Sequence, residues 1–160
     1  LRWSRDKMSG FTGDLIVKDN LDGTTWTLMQ NLHFYYDTAI WHDFSEETKK
    51  IRKTITVPQG FTTDFDSSPK IARMFMVGRR RGRRSFTVHD YGYQQNKGRH
   101  TKEFWDDLLE ESLVVELTKG RGKFMTMMGK ATAKMVRTGL RSFTSQAIWD
   151  NYRKKDDRVV

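Results

Sequence analysis

The spacing of apolar residues changes once along this chain, and that change limits the folds open to it. Before residue 66 apolar and polar positions alternate; after Pro69 the apolar ones recur every three to four residues. Phe11, Gly13, Leu15 and Val17 against Thr12, Asp14 and Ile16 predict a first strand. Asp19-Asn20-Leu21-Asp22-Gly23 supplies turn residues that tolerate positive φ. Thr24 to Tyr36, rich in Thr, Trp, Phe and Tyr, reads as the hairpin partner. Ile51, Lys53, Ile55 and Val57 predict a third strand over 50–57, and Phe61 to Phe65 a short fourth. An antiparallel meander fits these segments best.

The helical part opens at Ser67-Ser68-Pro69, where serine caps a helix and proline suits its first position. A short helix is expected over 71–77, a loop over 79–84, and a second helix over 85–95. The third, from Thr101 to Leu117, carries the stripe Phe104, Trp105, Leu108, Leu109, Ser112 and Leu113. The fourth starts near Gly122 with Phe124, Met128, Ala131 and Met135 on one face, and Met125, Met127, Met128 and Met135 read as core filler. Gly139 interrupts it before a further short helix from Phe143 to Tyr152. The predicted class is α+β: an N-terminal antiparallel β-sheet packed by three to four C-terminal helices. Residues 1–10 read as an N-terminal extension, 11–142 as a single α+β domain, and 143–160 as a C-terminal helix with a charged tail. Met8 reads as an alternative start, which would make residues 1–7 upstream or processed sequence.

The chain has 29 Lys and Arg against 20 Asp and Glu, a net charge of +9 that points to an anionic partner: nucleic acid, phosphorylated ligand or membrane surface. Zero cysteines exclude a disulfide scaffold, a thiol nucleophile and a Cys-ligated zinc site. No apolar run approaches the ~20 residues of a membrane span. Five arginines, Arg79, Arg80, Arg81, Arg83 and Arg84, crowd one segment. Lys123, Lys130, Lys134, Arg137 and Arg141 share one stripe of helix four, away from Phe124, Met128 and Met135. Both features suit phosphate contacts or an anionic surface. The alternative is a solvated face partly paired with acidic helix three. No RNP, zinc-finger or helix-turn-helix pattern accompanies them.

Chemistry-bearing residues concentrate in Val88-His89-Asp90-Tyr91-Gly92-Tyr93. On a helical wheel Phe86, His89, Asp90 and Tyr93 fall within an arc of roughly 100°, so a histidine, a carboxylate and a phenol face one buried surface. Such a trio can bind a metal or run general acid–base chemistry; it can equally be a core histidine satisfied by a carboxylate. Asp64 and Asp66, two residues apart, can ligate a hard cation such as Ca or Mg, or orient His89, while Asp66 also suits a helix cap. Ser67 is a nucleophile candidate beside His89. Asp106 lies on the flank of helix three, within reach of a neighbouring helix bearing His89.

Phe11-Thr12-Gly13-Asp14-Leu15, Val57-Pro58-Gln59-Gly60-Phe61-Thr62-Thr63-Asp64-Phe65-Asp66-Ser67-Ser68-Pro69, and Val88-His89-Asp90-Tyr91-Gly92-Tyr93 resemble, in this order, a phage and prophage family called domain-of-unknown-function 1353. Its later helical Asp looks like Asp106, and Met135 to Gly139 looks like its closing helix. The resemblance implies a phage or prophage source, presence in the host cytoplasm during infection or in the virion, and one shared role for Asp64, Ser67, His89, Asp90, Tyr93 and Asp106. A weaker similarity links His89-Asp90-Tyr91-Gly92-Tyr93 and Asp106 to bacterial secreted phospholipases A2. It implies that His89 activates water, Asp90 binds calcium and Asp106 orients His89; their cysteines and a Gly-rich calcium loop are not present. Two functions follow as expectations. One is a hydrolase-like protein, with a divalent cation at Asp64 and Asp90. The other is a non-enzymatic virion component that holds other phage structural proteins or nucleic acid through its basic surface.

Overall fold

The computed structural model describes residues 9–40, 49–64, 82–95, 99–141 and 143–156. Among them the strands are β1 (Gly10–Thr12), β2 (Val17–Asp19), β3 (Trp26–Leu28), β4 (Leu32–Ile40), β5 (Lys49–Val57) and β6 (Thr62–Thr63). The helices are α1 (Arg83–Gln95), α2 (Lys102–Thr118), α3 (Lys123–Leu140) and α4 (Phe143–Asp156). Strands occupy the first half and helices the second, which is the α+β class that the change of period implies. The expected 71–77 helix with its Ser67-Ser68-Pro69 cap lies outside the described residues.

The strands form two three-stranded antiparallel sheets, ordered β1-β4-β5 and β2-β3-β6, rather than one meander. The stretch from Thr24 to Tyr36 is not a single strand, because it breaks between β3 and β4. Side chains serve the backbone at that break: Asn31 Oδ1 accepts from the Gln59 amide at 2.8 Å, and Gln30 Nε2 donates to the Asp14 carbonyl at 2.8 Å. The first predicted strand splits likewise at Gly13, whose φ of +81° ends the β ladder. The longest pairing joins β4 to β5, from Leu32↔Val57 to Ile40↔Lys49. Leu32, Phe34, Tyr36 and Val57 point from it into the core.

Helix α1 starts two residues earlier than predicted, so Arg83 and Arg84 belong to its first turn and not to a loop. That turn holds no acid of its own, and α2 supplies one. Glu116 accepts from Arg84 Nε at 3.1 Å, the Ser85 amide at 3.1 Å and Ser85 Oγ at 2.8 Å. A carboxylate at the positive end of the helix dipole offsets the unfavourable arginines. The Arg84 guanidinium also covers the Phe11 ring at 4.9 Å, and that of Arg83 the Trp26 ring at 5.8 Å.

Helices α1 and α2 cross at Gly92, where an added Cβ would fall inside the Trp105 indole. Trp105 is itself buried and cannot swing away. Gly92→Ala is therefore expected to destabilise the fold by about 1–3 kcal/mol, more if the helices are forced apart, despite the better helix propensity of alanine. Urea denaturation followed by circular dichroism measures this directly.

The predicted stripe of α2 is the buried one: Trp105, Leu108, Leu109, Ser112 and Leu113 are inside, with Phe104 half-buried. For α3 the expectation is overturned. Gly129, Ala133, Val136 and Leu140 are buried, while Phe124, Met125, Met127, Met128 and Met135 are exposed. The helix carries two apolar arcs, and the one with small residues packs, because it lets the backbones approach. A Cβ at Gly129 would already crowd Thr118 and Leu117 of α2. Helix α4 joins the core through Trp149, whose ring meets that of Tyr93 at 5.0 Å.

Candidate functional site

Helix periodicity places Phe86, His89, Asp90 and Tyr93 on the inner face of α1, and all four are buried. On α2, Lys102 and Asp106 lie one turn apart and are buried too. Asp106 is the hub of this group. Its Oδ1 accepts from the Tyr93 hydroxyl at 2.6 Å and lies 3.2 Å from His89 Nε2. Its Oδ2 accepts from Lys102 Nζ at 2.6 Å, and Lys102 also donates to the Leu140 carbonyl at 2.7 Å. The network thus ties α1, α2 and α3 together.

The charges are mutually determined. Burial raises the Asp106 carboxyl, but hydrogen bonds from His89, Lys102 and Tyr93 together outweigh it and hold the group below its ordinary value, so it is ionised. An ionised carboxylate only accepts, so the His89 proton sits on Nε2. Burial pushes His89 down and outweighs the raising effect of the Asp106 hydrogen bond and charge, and the nearby Lys102 adds a smaller push in the same direction. His89 is therefore a neutral imidazole with its lone pair on Nδ1. That atom is buried and has no hydrogen-bond partner among the described residues. The Tyr93 hydroxyl is pushed far above its ordinary value, first by burial and then by Asp106, and stays protonated as a donor.

The neighbouring carboxylate has a separate partnership. Asp90 is buried, and its Oδ2 accepts from Thr63 Oγ1 at 2.5 Å, fastening α1 to β6. Asp64 follows on the chain and is exposed. Asp64 and Asp90 both raise the Tyr152 phenol, after burial, so both lie near that α4 residue. Of the three carboxylates considered for orienting His89, Asp106 makes the bond, Asp64 is not seen bonded to the ring, and Asp66 lies outside the described residues. No cluster of three or more His, Asp or Glu able to hold a metal occurs among the described residues. Asp64 and Asp90 alone make an incomplete shell for a hard cation. Ser67 and Arg79, Arg80 and Arg81 lie outside the described residues.

Of the other predicted anion-binding residues, Lys130 and Lys134 are exposed on α3. Arg137 pairs with Asp107 and, at 3.2 Å, with Glu110 of α2. Sequence reasoning missed Lys102 and Thr63. The signal for Lys102 was its four-residue spacing to Asp106 at the start of a helix.

The network also sets an acid sensitivity. The folded chain resists protonating His89, whereas the unfolded chain protonates it near the ordinary value of 6.5. The stability contributed by neutral His89 is complete above that value and is lost as pH falls towards its depressed folded value. The melting temperature should fall between neutral pH and about pH 5, and His89→Gln should flatten the fall. His100, lowered by burial and by Lys53 and Arg99, acts in the same direction, so His100→Gln is the control.

No curated protein and no solved structure matches the chain. One family model does, over residues 38–129, a span that takes in β5, β6, α1, α2 and with them Asp64, His89, Asp90, Tyr93, Lys102 and Asp106. That span is more than half of the 160 residues, so the chain belongs to the family described as Protein of unknown function (DUF1353).

Proposed function

We propose that this is a phage-encoded, hydrolase-like protein in which His89 is the general base. The observation that carries the reading is the pair of ring nitrogens: Nε2 is fixed on Asp106, and Nδ1 is buried with no partner among the described residues. A buried acceptor left unsatisfied costs about 1–3 kcal/mol. A water bound at Nδ1 removes that cost, and it is also the water a neutral imidazole can activate. In this reaction Nδ1 takes the proton as the water oxygen attacks the ester. Asp106 stabilises the imidazolium that forms, and Nδ1 then returns the proton to the leaving oxygen. Lys102 and Tyr93 are positioning residues, since they act through Asp106.

The same relations were implied by the similarity to secreted phospholipases A2, where the histidine activates water and a later aspartate orients it. A divalent cation at Asp90 with Asp64 belongs to that similarity, but these two carboxylates alone do not complete a shell for it. The phage source rests on the family resemblance alone. Hydrolysis of a panel of carboxylic and phosphate esters by wild-type and His89→Gln protein tests the proposal. Activity should be lost in the variant, with folding retained.

A second reading is favoured by one observation, the exposure of Lys130 and Lys134 on α3. In it the chain is a non-enzymatic virion component that binds nucleic acid or an acidic phage protein. Charge reversal at those lysines would then spoil binding, and His89→Gln would be silent.

A further inference from the structure

Helix α3 presents three faces. Gly129, Ala133, Val136 and Leu140 pack on the core. Rotated roughly 140° from them by the helical repeat lie Phe124, Met128, Ala131 and Met135, with Met127 at their edge. These are open to solvent, Phe124 at 68% and Met127 at 59%. Between the two faces runs a basic stripe, Lys123, Lys130 and Lys134, all exposed. The helix contains no Asp or Glu. Water-facing methionines and a phenylalanine in one row form an apolar patch of the kind that marks an interaction site.

We propose that this face of α3 docks on an anionic lipid surface, lying in the interface plane. Three features together select that occupant. The exposed face is apolar, so a nucleic acid held by the lysines would leave Phe124 and the methionines in water. The flank is uniformly basic, so a second copy of the same face would bring like charges together. The surface is the convex side of one helix and not a groove, which suits a planar boundary better than a partner helix. An apolar row beside lysines whose amines reach the headgroups is the arrangement by which interfacial helices bind anionic membranes. The helix does not span: among the described residues no helix is long and apolar enough to cross a membrane. This docking does not depend on His89.

Sedimentation with phosphatidylglycerol-containing vesicles, with pure phosphatidylcholine vesicles as reference, tests the proposal. Wild-type protein is expected to partition onto the anionic vesicles, less so as salt is raised. Each lysine near a charged surface is worth about fivefold in partitioning, so Lys130→Ala with Lys134→Ala should weaken it about thirtyfold. Met128→Asn with Met135→Asn should weaken it at any salt concentration. These positions are exposed, and equal melting temperatures would verify that the variants fold. The proposal is overturned if wild-type protein stays in the supernatant, or if the variants bind as well as wild type. It is also overturned if wild type forms a dimer that Met128→Asn dissociates, which would assign the face to a second copy.

Discussion

Asp106→Ala is expected to lower the unfolding free energy by about 3–5 kcal/mol, the usual cost of removing one partner from a buried ion pair. The loss of one acceptor is the smaller part. Lys102 Nζ would be left without its carboxylate at a side-chain exposure of 7%, with the Leu140 carbonyl as its one remaining acceptor among the described residues. Tyr93 and His89 would lose their acceptor as well. The carboxylate joins α1 to α2 directly and α3 through Lys102, so the damage should appear as a loss of global stability and not as local fraying. Lys102→Met should cost less, since the charge it leaves unpaired, Asp106, retains two hydrogen-bond donors. Pairing Asp106→Leu with Lys102→Met removes both charges, and the double variant should be more stable than Asp106→Ala alone. Urea titrations of the four proteins measure the coupling. An Asp106→Ala protein within about 1 kcal/mol of wild type would show that the network carries no such burden.

The second large effect is on chemistry. Replacing a general base typically costs 10²–10⁴-fold in rate, and His89→Gln should fall in this range on any ester the wild type hydrolyses. Glutamine keeps an N–H donor for Asp106 but offers no base, so it separates positioning from proton transfer. His89→Ala should be equally inactive and somewhat less stable because it leaves a cavity. The acid limb of the wild-type rate profile should lie below pH 6.5, in the direction that burial moves His89. If both variants lose the cooperative melt, the histidine is a structural pin. If both retain wild-type rates, the base is another group.

The helices that build this site were legible because one period suffices to orient them. A 3.6-residue repeat puts His89 and Tyr93 on the inner face of α1, and the α2 stripe sets Asp106 at its edge. Their union at one carboxylate was not legible, because the α1–α2 crossing angle depends on Gly92 fitting over Trp105, a contact without periodicity. Lys102 was missed for a related reason: a lysine near a helix start reads as solvated until a neighbouring α3 carbonyl is seen to receive it. The α3 error has a different origin. Both of its arcs are apolar, hydrophobicity alone favours the bulky one, and only the close approach at Gly129 selects the small one. In the first half the alternation located β1, β3, β4, β5 and β6 but not their partners, and β2 begins where the predicted strand ends and runs into the predicted turn. The breaks at Gly13 and Met29 to Asn31 are set by single turn residues, and these divide the strands between two sheets.

The reading of His89 as a poised base stands on one protonation state, which two-bond proton–nitrogen correlation spectra of the imidazole can observe without any substrate. The expected spectrum at neutral pH is that of a neutral ring protonated on Nε2, with an Nδ1 lone pair that titrates only below pH 6.5. An imidazolium at neutral pH, or a ring carrying its proton on Nδ1, would contradict it.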